Sequence, residues 1–136
     1  MRNTPHNTSG NFLRASRRAS QFKDSFGGIV EPMIVTDENG VILFANKHVV
    51  DRTGFSIEEI IGQTPGKLWG NQKDEGFYKD MWKTIKIDKN PFTATMINKR
   101  KDGTYYGCEL KIEPVLDENE NISFFVGIES NFIDAI

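Results

Sequence analysis

The apolar positions in the body of the chain repeat with a period of two over five segments. Two short segments of this kind, 32–37 and 41–45, flank an Asn-Gly pair, which favours the tight turn of a hairpin. Three longer segments, 92–100, 104–116 and 122–130, are separated by short polar turns. Strands that follow one another in hairpins pair antiparallel, so the pattern predicts one five-stranded antiparallel sheet.

Helical signals occupy the middle of the chain, between the second and third predicted strands. Asn46 is a suitable N-cap for a short helix that ends near Arg52, and a capping box begins a second helix at Ser56. The segment 62–73 is rich in glycine and proline and is predicted to be irregular. Apolar residues at helical spacing over 74–88 predict a longer helix. The order of strands and helices predicts an α+β fold with helices on one face of the sheet.

A separate apolar stripe precedes the first strand. Residues 1–11 are polar and are predicted to be disordered. From there to the Gly27-Gly28 pair, apolar side chains recur at alternating spacings of three and four, as in a heptad repeat. The stripe consists of Phe12, Ala15, Ala19, Phe22 and Phe26. Two interpretations stay open for this amphipathic helix, which either folds onto its own domain or pairs with a second subunit.

Composition and charge agree with one soluble domain and separate the leading segment from the body. The chain has 136 residues, of which 38% are hydrophobic and 26% charged, and a formal net charge of −2. Residues 1–23 carry basic but no acidic side chains, whereas 24–136 are acidic overall. With no basic, aromatic-rich face elsewhere, we expect no nucleic-acid partner. No apolar run reaches the roughly 20 residues of a membrane span, and no secretory leader is recognisable, so we expect a cytoplasmic protein without a membrane span.

The chain carries little of the chemistry that catalysis requires. Its single cysteine, Cys108, rules out an intrachain disulfide, and its two histidines, His6 and His48, do not form a metal cluster of familiar spacing. Phosphate-binding loops and hydrolase motifs are missing from the sequence. Cys108 lies in an apolar strand row, which favours a buried and inert thiol. We therefore predict no enzymatic activity and no metal site in this chain.

Each of the three long strands places a row of mainly apolar residues on one face. These rows are Phe92, Ala94, Met96 and Asn98; Tyr106, Cys108, Leu110 and Ile112; and Ile122, Phe124, Val126 and Ile128. Asn98 is the polar member of its row and is predicted to face the helices. A buried amide needs hydrogen-bond partners, which neighbouring backbone or a ligand held between sheet and helices would supply. Trp82, on the predicted long helix, likewise has two open interpretations: it packs in the core, or it contacts a ligand.

Taken together, these motifs resemble a PAS domain of the S-box sensory type, similar to the input domains of bacterial sensor proteins. The resemblance runs from Val30 to Ser130 and is carried by 34–40, 44–46, 53–62, 77–78, Trp82, 98–103 and 114–118. It implies a five-stranded sheet whose helices enclose a small-molecule pocket. It also implies that 29–136 form the sensor domain and 1–28 a disordered tip and dimerisation helix, because such modules dimerise through a helix before the first strand.

The resemblance also limits the ligand. Haem-binding members use a histidine on the long helix, and 74–88 contain none, so haem is not expected. Flavin photoreceptors that form a cysteine adduct carry that cysteine on the preceding short helix, and 65–69 contain none. Redox flavin sensors of nitrogen fixation place a tryptophan and an asparagine where this chain has Trp82 and Asn98. FAD, another small metabolite and no ligand all stay open, and the candidate ligand-contacting residues are Tyr78, Trp82, Met96, Asn98 and Cys108.

The sequence thus predicts a sensory PAS domain in signal transduction. It would sense a small molecule or a redox cue and control the geometry of a homodimer. The output would come from an effector outside this chain, such as a histidine kinase, a cyclic-dinucleotide enzyme or a chemoreceptor, because 136 residues leave room for the input module alone. We therefore expect a fragment or a partner-dependent piece. The alternative is a PAS domain without ligand that acts as a protein–protein interaction module.

Overall fold

The computed structural model describes residues 28–70 and 73–134, together with Phe22 and Phe26 of the leading segment. Five strands form one sheet: β1 (Met33–Thr36), β2 (Ile42–Ala45), β3 (Phe92–Lys99), β4 (Tyr105–Leu116) and β5 (Ile122–Ile133). Their spatial order is β2-β1-β5-β4-β3, and every neighbouring pair is antiparallel. The predicted five-stranded antiparallel sheet is confirmed, with the last strand at its centre between the first and the fourth.

Four short helices connect β2 to β3. They are α1 (Lys47–Thr53), α2 (Ile57–Ile60), α3 (Pro65–Trp69) and α4 (Glu75–Trp82). The predicted caps are present: the Asn46 side chain accepts a hydrogen bond from the Val49 backbone, and Ser56 and Glu59 form the reciprocal capping box. No helix in the described ranges is long and apolar enough to cross a membrane.

Two predictions for the helical middle are corrected. The segment 62–73, predicted to be irregular, contains α3, which begins with a proline at a position where the missing N–H costs no hydrogen bond. The helix predicted over 74–88 is α-helical only to Trp82 and continues as a π-helical turn, Lys83–Ile87. Within this turn the Thr84 hydroxyl donates to the Asp80 carbonyl at 2.9 Å, and such side-chain bonds compete with the regular backbone ladder.

Helices α1 to α3 cover one face of the sheet, which we call the inner face. Ile42 and Ala45 of β2 pack there against Val49, Ile60 and Trp69 of the helices. A second inner cluster consists of Met96, Tyr106 and Cys108, with Phe77 of α4 packed against it. The predicted placement of the helices is confirmed.

The opposite face of the sheet, the outer face, carries a separate apolar cluster. It is built from Met33, Val35, Phe44, Phe124, Val126 and Ile128, and Phe22 and Phe26 pack against it. The Phe22 ring lies 5.0 Å from the Phe124 ring and 6.1 Å from the Phe44 ring, measured between centroids. At these two positions the leading stripe folds onto its own domain. The remaining stripe positions, Phe12, Ala15 and Ala19, lie outside the described residues, so the dimerisation role of the stripe stays a prediction.

Candidate functional site

A cavity of about 800 Å³ lies between the inner face of the sheet and the helices. The sheet forms its floor, through Met96, Asn98, Leu110, Phe125, Gly127 and Glu129. The helical middle forms its roof, mainly through Trp69, Tyr78, Met81, Trp82 and Ile85. The walls are largely apolar and aromatic, and the volume falls within the range of about 300–1,000 Å³ that is typical of small-molecule sites. The charged side chains in the lining are Lys67, Lys73, Glu75 and Glu129.

The structure brings four of the five predicted ligand-contacting residues to this cavity. Tyr78 and Trp82 lie on α4, and Met96 and Asn98 on β3. The Trp82 ring reaches the sheet, where its centroid lies 5.8 Å from that of Phe125 in an edge-to-face contact. Trp82 therefore connects roof and floor at one wall of the cavity.

Cys108, the fifth predicted residue, does not line the cavity. Cys108 pairs with Met96 in the sheet and is only 2% exposed. Its thiol interacts with the carboxylate of Glu129, and it is Glu129 that lines the cavity. Burial raises the pKa of the thiol to about 12, and the Glu129 charge acts in the same direction. The thiol thus stays protonated and is a poor nucleophile.

Polar side chains on the floor form a hydrogen-bonded group, the floor cluster, consisting of Asn98, Tyr106, Cys108 and Glu129. The Tyr106 hydroxyl donates to the two carboxylate oxygens of Glu129 at 2.9 and 3.1 Å. Asn98 Nδ2 donates to Glu129 at 2.8 Å and to the Tyr106 oxygen at 3.2 Å. A carboxylate only accepts hydrogen bonds, so this network fixes which end of the Asn98 amide faces Glu129.

Asn98 has capacity left for a further partner. The side chain is 8% exposed, and both of its hydrogen bonds use Nδ2. Across 28–70 and 73–134, no group donates to Oδ1. Side chains, and not the neighbouring backbone, accept the hydrogen bonds of the amide donor, and the amide acceptor has no partner among the described residues.

Burial sets the electrostatics of the floor cluster. Desolvation raises the pKa of Glu129, while the Tyr106 hydrogen bond and the positive charge of Arg52 oppose that shift. Desolvation likewise raises the pKa of Tyr106, and the Glu129 charge adds to it. Tyr106 therefore stays protonated and donates a hydrogen bond as a neutral group. Glu129 is the member of the cluster that can change its protonation state.

Sequence reasoning missed Glu129. It treated Ile122, Phe124, Val126 and Ile128 as the significant row of the last strand, and that row faces outward. The alternate row faces the cavity and consists of Phe125, Gly127 and Glu129. The sequence did contain a signal for Glu129. Apolar residues occur in both alternating rows of this strand, which indicates a strand buried on both faces. An acidic residue in a buried row is unusual and marks a candidate functional residue.

Trp69 is a further residue of the cavity. It ends α3, is 6% exposed and lines the cavity. Its indole Nε1 is buried without a hydrogen-bond partner among the described residues. Metal binding has no comparable candidate, since no cluster of three or more ligating side chains occurs in the ranges that the structure covers.

Comparison with known proteins identifies the family. The family model for PAS domains matches residues 30–131. A nitrogen fixation regulatory protein of Klebsiella oxytoca is 28% identical over 95 residues, which are 70% of this chain and 19% of that protein. A blue-light-activated histidine kinase of Brucella canis is 30% identical over 114 residues, 79% of this chain and 23% of that protein. The chain thus spans about a fifth of the length of these curated relatives.

A solved structure has the same fold. It is a light-oxygen-voltage domain from a study of a flavin analogue, with a TM-score of 0.69 and 20% sequence identity, and the match covers 80% of this chain and 82% of that one. At this identity the likeness concerns the fold alone. The family match, together with the order of the strands and the cavity under the helices, means that the chain belongs to the PAS domain family of signalling sensor modules.

Proposed function

We propose that the chain is the ligand-sensing input domain of a signalling protein and that a small molecule occupies the cavity. The observation that carries this proposal is the cavity itself, about 800 Å³ with apolar walls and an unused acceptor on Asn98. A PAS domain that acts only as a protein–protein interaction module has no need of such a space, because filling the core with side chains stabilises the fold. That alternative is therefore the second candidate.

A flavin is the first ligand to test, because one structural neighbour comes from a study of a flavin analogue. The described residues fit a planar aromatic ring: Tyr78, Trp82 and Phe125 offer aromatic surfaces, and Asn98 offers an acceptor to a ring edge. When bound, a flavin would supply visible absorption and redox chemistry. Another small metabolite of similar shape would use the same residues.

Photochemistry through a cysteine adduct does not fit these residues. The only cysteine is Cys108, which lies in β4 beneath Glu129 and is held protonated by burial. Helix α3 has Trp69 and no cysteine on the cavity side. If a flavin is bound, its role in this chain is therefore to report redox state or occupancy.

The floor cluster offers a route from the cavity to the end of β5. The Tyr106 ring lies 5.6 Å from the Phe132 ring, and the Arg52 guanidinium lies 3.8 Å from the Phe132 centroid. Arg100 donates to the Arg52 carbonyl and pairs with Asp134. A ligand that moves Glu129 or Tyr106 therefore acts on the contacts of the last described residues. The ligand shifts the equilibrium between two conformations of the domain only if it binds one of them more tightly than the other.

The proposal also covers how the domain passes its signal on. We infer a homodimer that pairs through the part of the leading stripe before Phe22, namely Phe12, Ala15 and Ala19, and an effector domain or partner outside this chain. A histidine kinase among the relatives supports an effector of that class. The ligand would change the geometry of the homodimer by altering the sheet that both the cavity and the leading segment contact.

Native mass spectrometry of the protein, purified without denaturation, tests the proposal most directly. We expect a species heavier than the chain by the mass of one small molecule. If that molecule is a flavin, the protein should also show an absorbance band at about 450 nm. Asn98→Ala and Trp82→Phe should reduce the bound fraction, whereas Asn119→Ala, in the exposed turn before β5, should leave it unchanged. A mass equal to the chain alone, before and after incubation with FAD and with host extract, would favour the interaction module.

A further inference from the structure

Glu129 is a carboxylate on the cavity floor that lacks a cationic partner. Its hydrogen-bond donors are the hydroxyl of Tyr106, the amide of Asn98 and the thiol of Cys108, all of them neutral. Across the described ranges, Glu129 takes part in no ion pair. Neutral donors satisfy its oxygens but do not neutralise its negative charge, and a charge without an ion-pair partner is costly to bury.

The groups that face Glu129 come from three elements. β4 supplies Tyr106 and Cys108, β3 supplies Asn98, and α1 supplies the positive charge of Arg52. The Arg52 guanidinium, however, lies over the Phe132 ring at 3.8 Å and near the Tyr106 ring at 5.9 Å. It acts on Glu129 through its field alone. Two lysines, Lys67 and Lys73, also line the cavity, but neither forms an ion pair with Glu129.

The acceptors of the cavity floor are arranged side by side. Asn98 Nδ2 binds Glu129 at 2.8 Å, so the free Oδ1 of the same amide lies next to the carboxylate. Both residues line the cavity, as do Leu110 and the aromatic side chains of Trp82 and Phe125. A cationic group with two adjacent N–H donors could donate one hydrogen bond to the amide oxygen of Asn98 and one to the carboxylate of Glu129. Its positive charge would at the same time neutralise the carboxylate.

We propose that the cavity selects a ligand with a protonated nitrogen group, such as an amidinium, guanidinium or ammonium, on an apolar and aromatic scaffold. Glu129 is its counter-ion and Asn98 Oδ1 its second acceptor. This inference rests on the proposed small-molecule function and adds the charge of the ligand to it. A neutral ligand with donors at its edge would bind the same acceptors but would gain nothing from the charge of Glu129.

Two probes of the same shape and different charge test the inference. Naphthalene-2-carboxamidine is cationic and naphthalene-2-carboxamide is neutral, and both are planar. Isothermal titration calorimetry on the full chain at pH 8 should give an amidine affinity at least about tenfold above that of the amide, because charge-assisted hydrogen bonds are the stronger ones. Glu129→Gln, which preserves the side-chain shape, should abolish this preference. Glu118→Gln, the same change in an exposed turn, should retain it.

The pH dependence provides a second measurement on the unaltered protein. Lowering the pH protonates Glu129, whose pKa burial raises, so the affinity for the amidine should fall while the affinity for the amide stays constant. The other facing groups, Tyr106 and Cys108, stay protonated at neutral and acidic pH. An amidine affinity that does not change with pH contradicts the role of Glu129 as counter-ion.

The remaining outcomes separate this inference from the function on which it rests. Equal affinities for the two probes overturn the selection for a cation and leave a small-molecule sensor in place. Binding of neither probe, in a chain that carries another compound in native mass spectrometry, overturns it as well. Binding of neither probe by a chain that also carries no compound contradicts both the inference and the proposed function.

Discussion

At the scale of the residue, burial decides what each polar side chain of the cavity floor does. Tyr106 is fully buried and uses its hydroxyl as donor to Glu129 and as acceptor from Asn98. This double use links the tyrosine hydroxyl, the amide and the carboxylate in one hydrogen-bonded network. Glu129 is thereby held at the floor of the cavity, although the burial of an acid weakens the fold.

The pH dependence of stability should report that weakening. Burial raises the pKa of Glu129 in the folded protein above its value in the unfolded chain, so the folded state binds the proton more tightly. Above the unfolded pKa, stability therefore falls as the pH rises through the folded pKa. We expect the free energy of unfolding of the wild type, relative to Glu129→Gln, to decrease between pH 5 and pH 8, as measured by urea unfolding.

The comparison with a matched variant isolates this residue. Glu118→Gln alters an exposed acid of the turn before β5, so its difference from the wild type should be the same at both pH values. The exposed acids Glu59 and Asp102, whose pKa values hydrogen bonds lower, act in both chains alike and cancel. A constant difference between wild type and Glu129→Gln would show that Glu129 is not stabilised in its protonated form by the fold.

At the scale of the element, β5 serves both faces of the molecule. Its inner row, Phe125, Gly127 and Glu129, forms part of the cavity, and its outer row packs under Phe22 and Phe26. A Cβ at Gly127 would lie 3.4 Å from Ile34 Cγ1, so the row also fits closely against β1. A slip of one residue would exchange the two rows, which is why pairing on both sides of β5 must fix its register.

The contact of the leading segment with the outer face should contribute to stability. Phe22 is half-buried and packs edge-to-face on Phe124, so Phe22→Ala should lower the free energy of unfolding by about 2 kcal/mol, less than the roughly 3–5 kcal/mol of a fully buried phenylalanine. Denaturant unfolding measures this. Val30→Ala, at a position 76% exposed, should change stability by less than about 0.5 kcal/mol. Equal stabilities for the wild type and Phe22→Ala would contradict the packing.

At the scale of the whole molecule, one sheet separates the cavity from the leading segment. Met33 and Val35 of β1 face the outer cluster, while Ile34 and Thr36 of the same strand line the cavity. A displacement of β1 or β5 by a ligand therefore reaches the outer face without any intervening layer. This arrangement is consistent with the proposal that a ligand in the cavity acts on the pairing of two subunits.

Removal of residues 1–20 tests that pairing. The truncation deletes Phe12, Ala15 and Ala19 and keeps Phe22 and Phe26, which cover the outer face. We expect light scattering to give a dimer mass for the full chain and a monomer mass for the truncated chain, with little change in the free energy of unfolding. A dimer that survives the truncation would place the interface elsewhere. A large loss of stability would mean that the deleted residues also belong to the fold.

The sequence by itself determined most of the elements, because local rules govern them. The period of two produced all five strands, the Asn-Gly turn joined β1 to β2, and the caps at Asn46 and Ser56 began α1 and α2. The polar position of Asn98 in an apolar row, with the family resemblance, also identified the cavity side of β3 and the place of Trp82. The strands, turns and caps could be predicted because each depends on residues that are neighbours along the chain.

The tertiary structure alone decided which row of β5 faces the cavity. Both rows of that strand contain phenylalanine, so apolar periodicity could not distinguish them, and the choice depends on pairing with β1 and β4, strands far apart in sequence. This pairing brings Glu129 to the cavity, leaves Cys108 beneath it and brings Tyr106 and Asn98 together around one carboxylate. The chemistry of the site thus arises from long-range register, which no local pattern encodes.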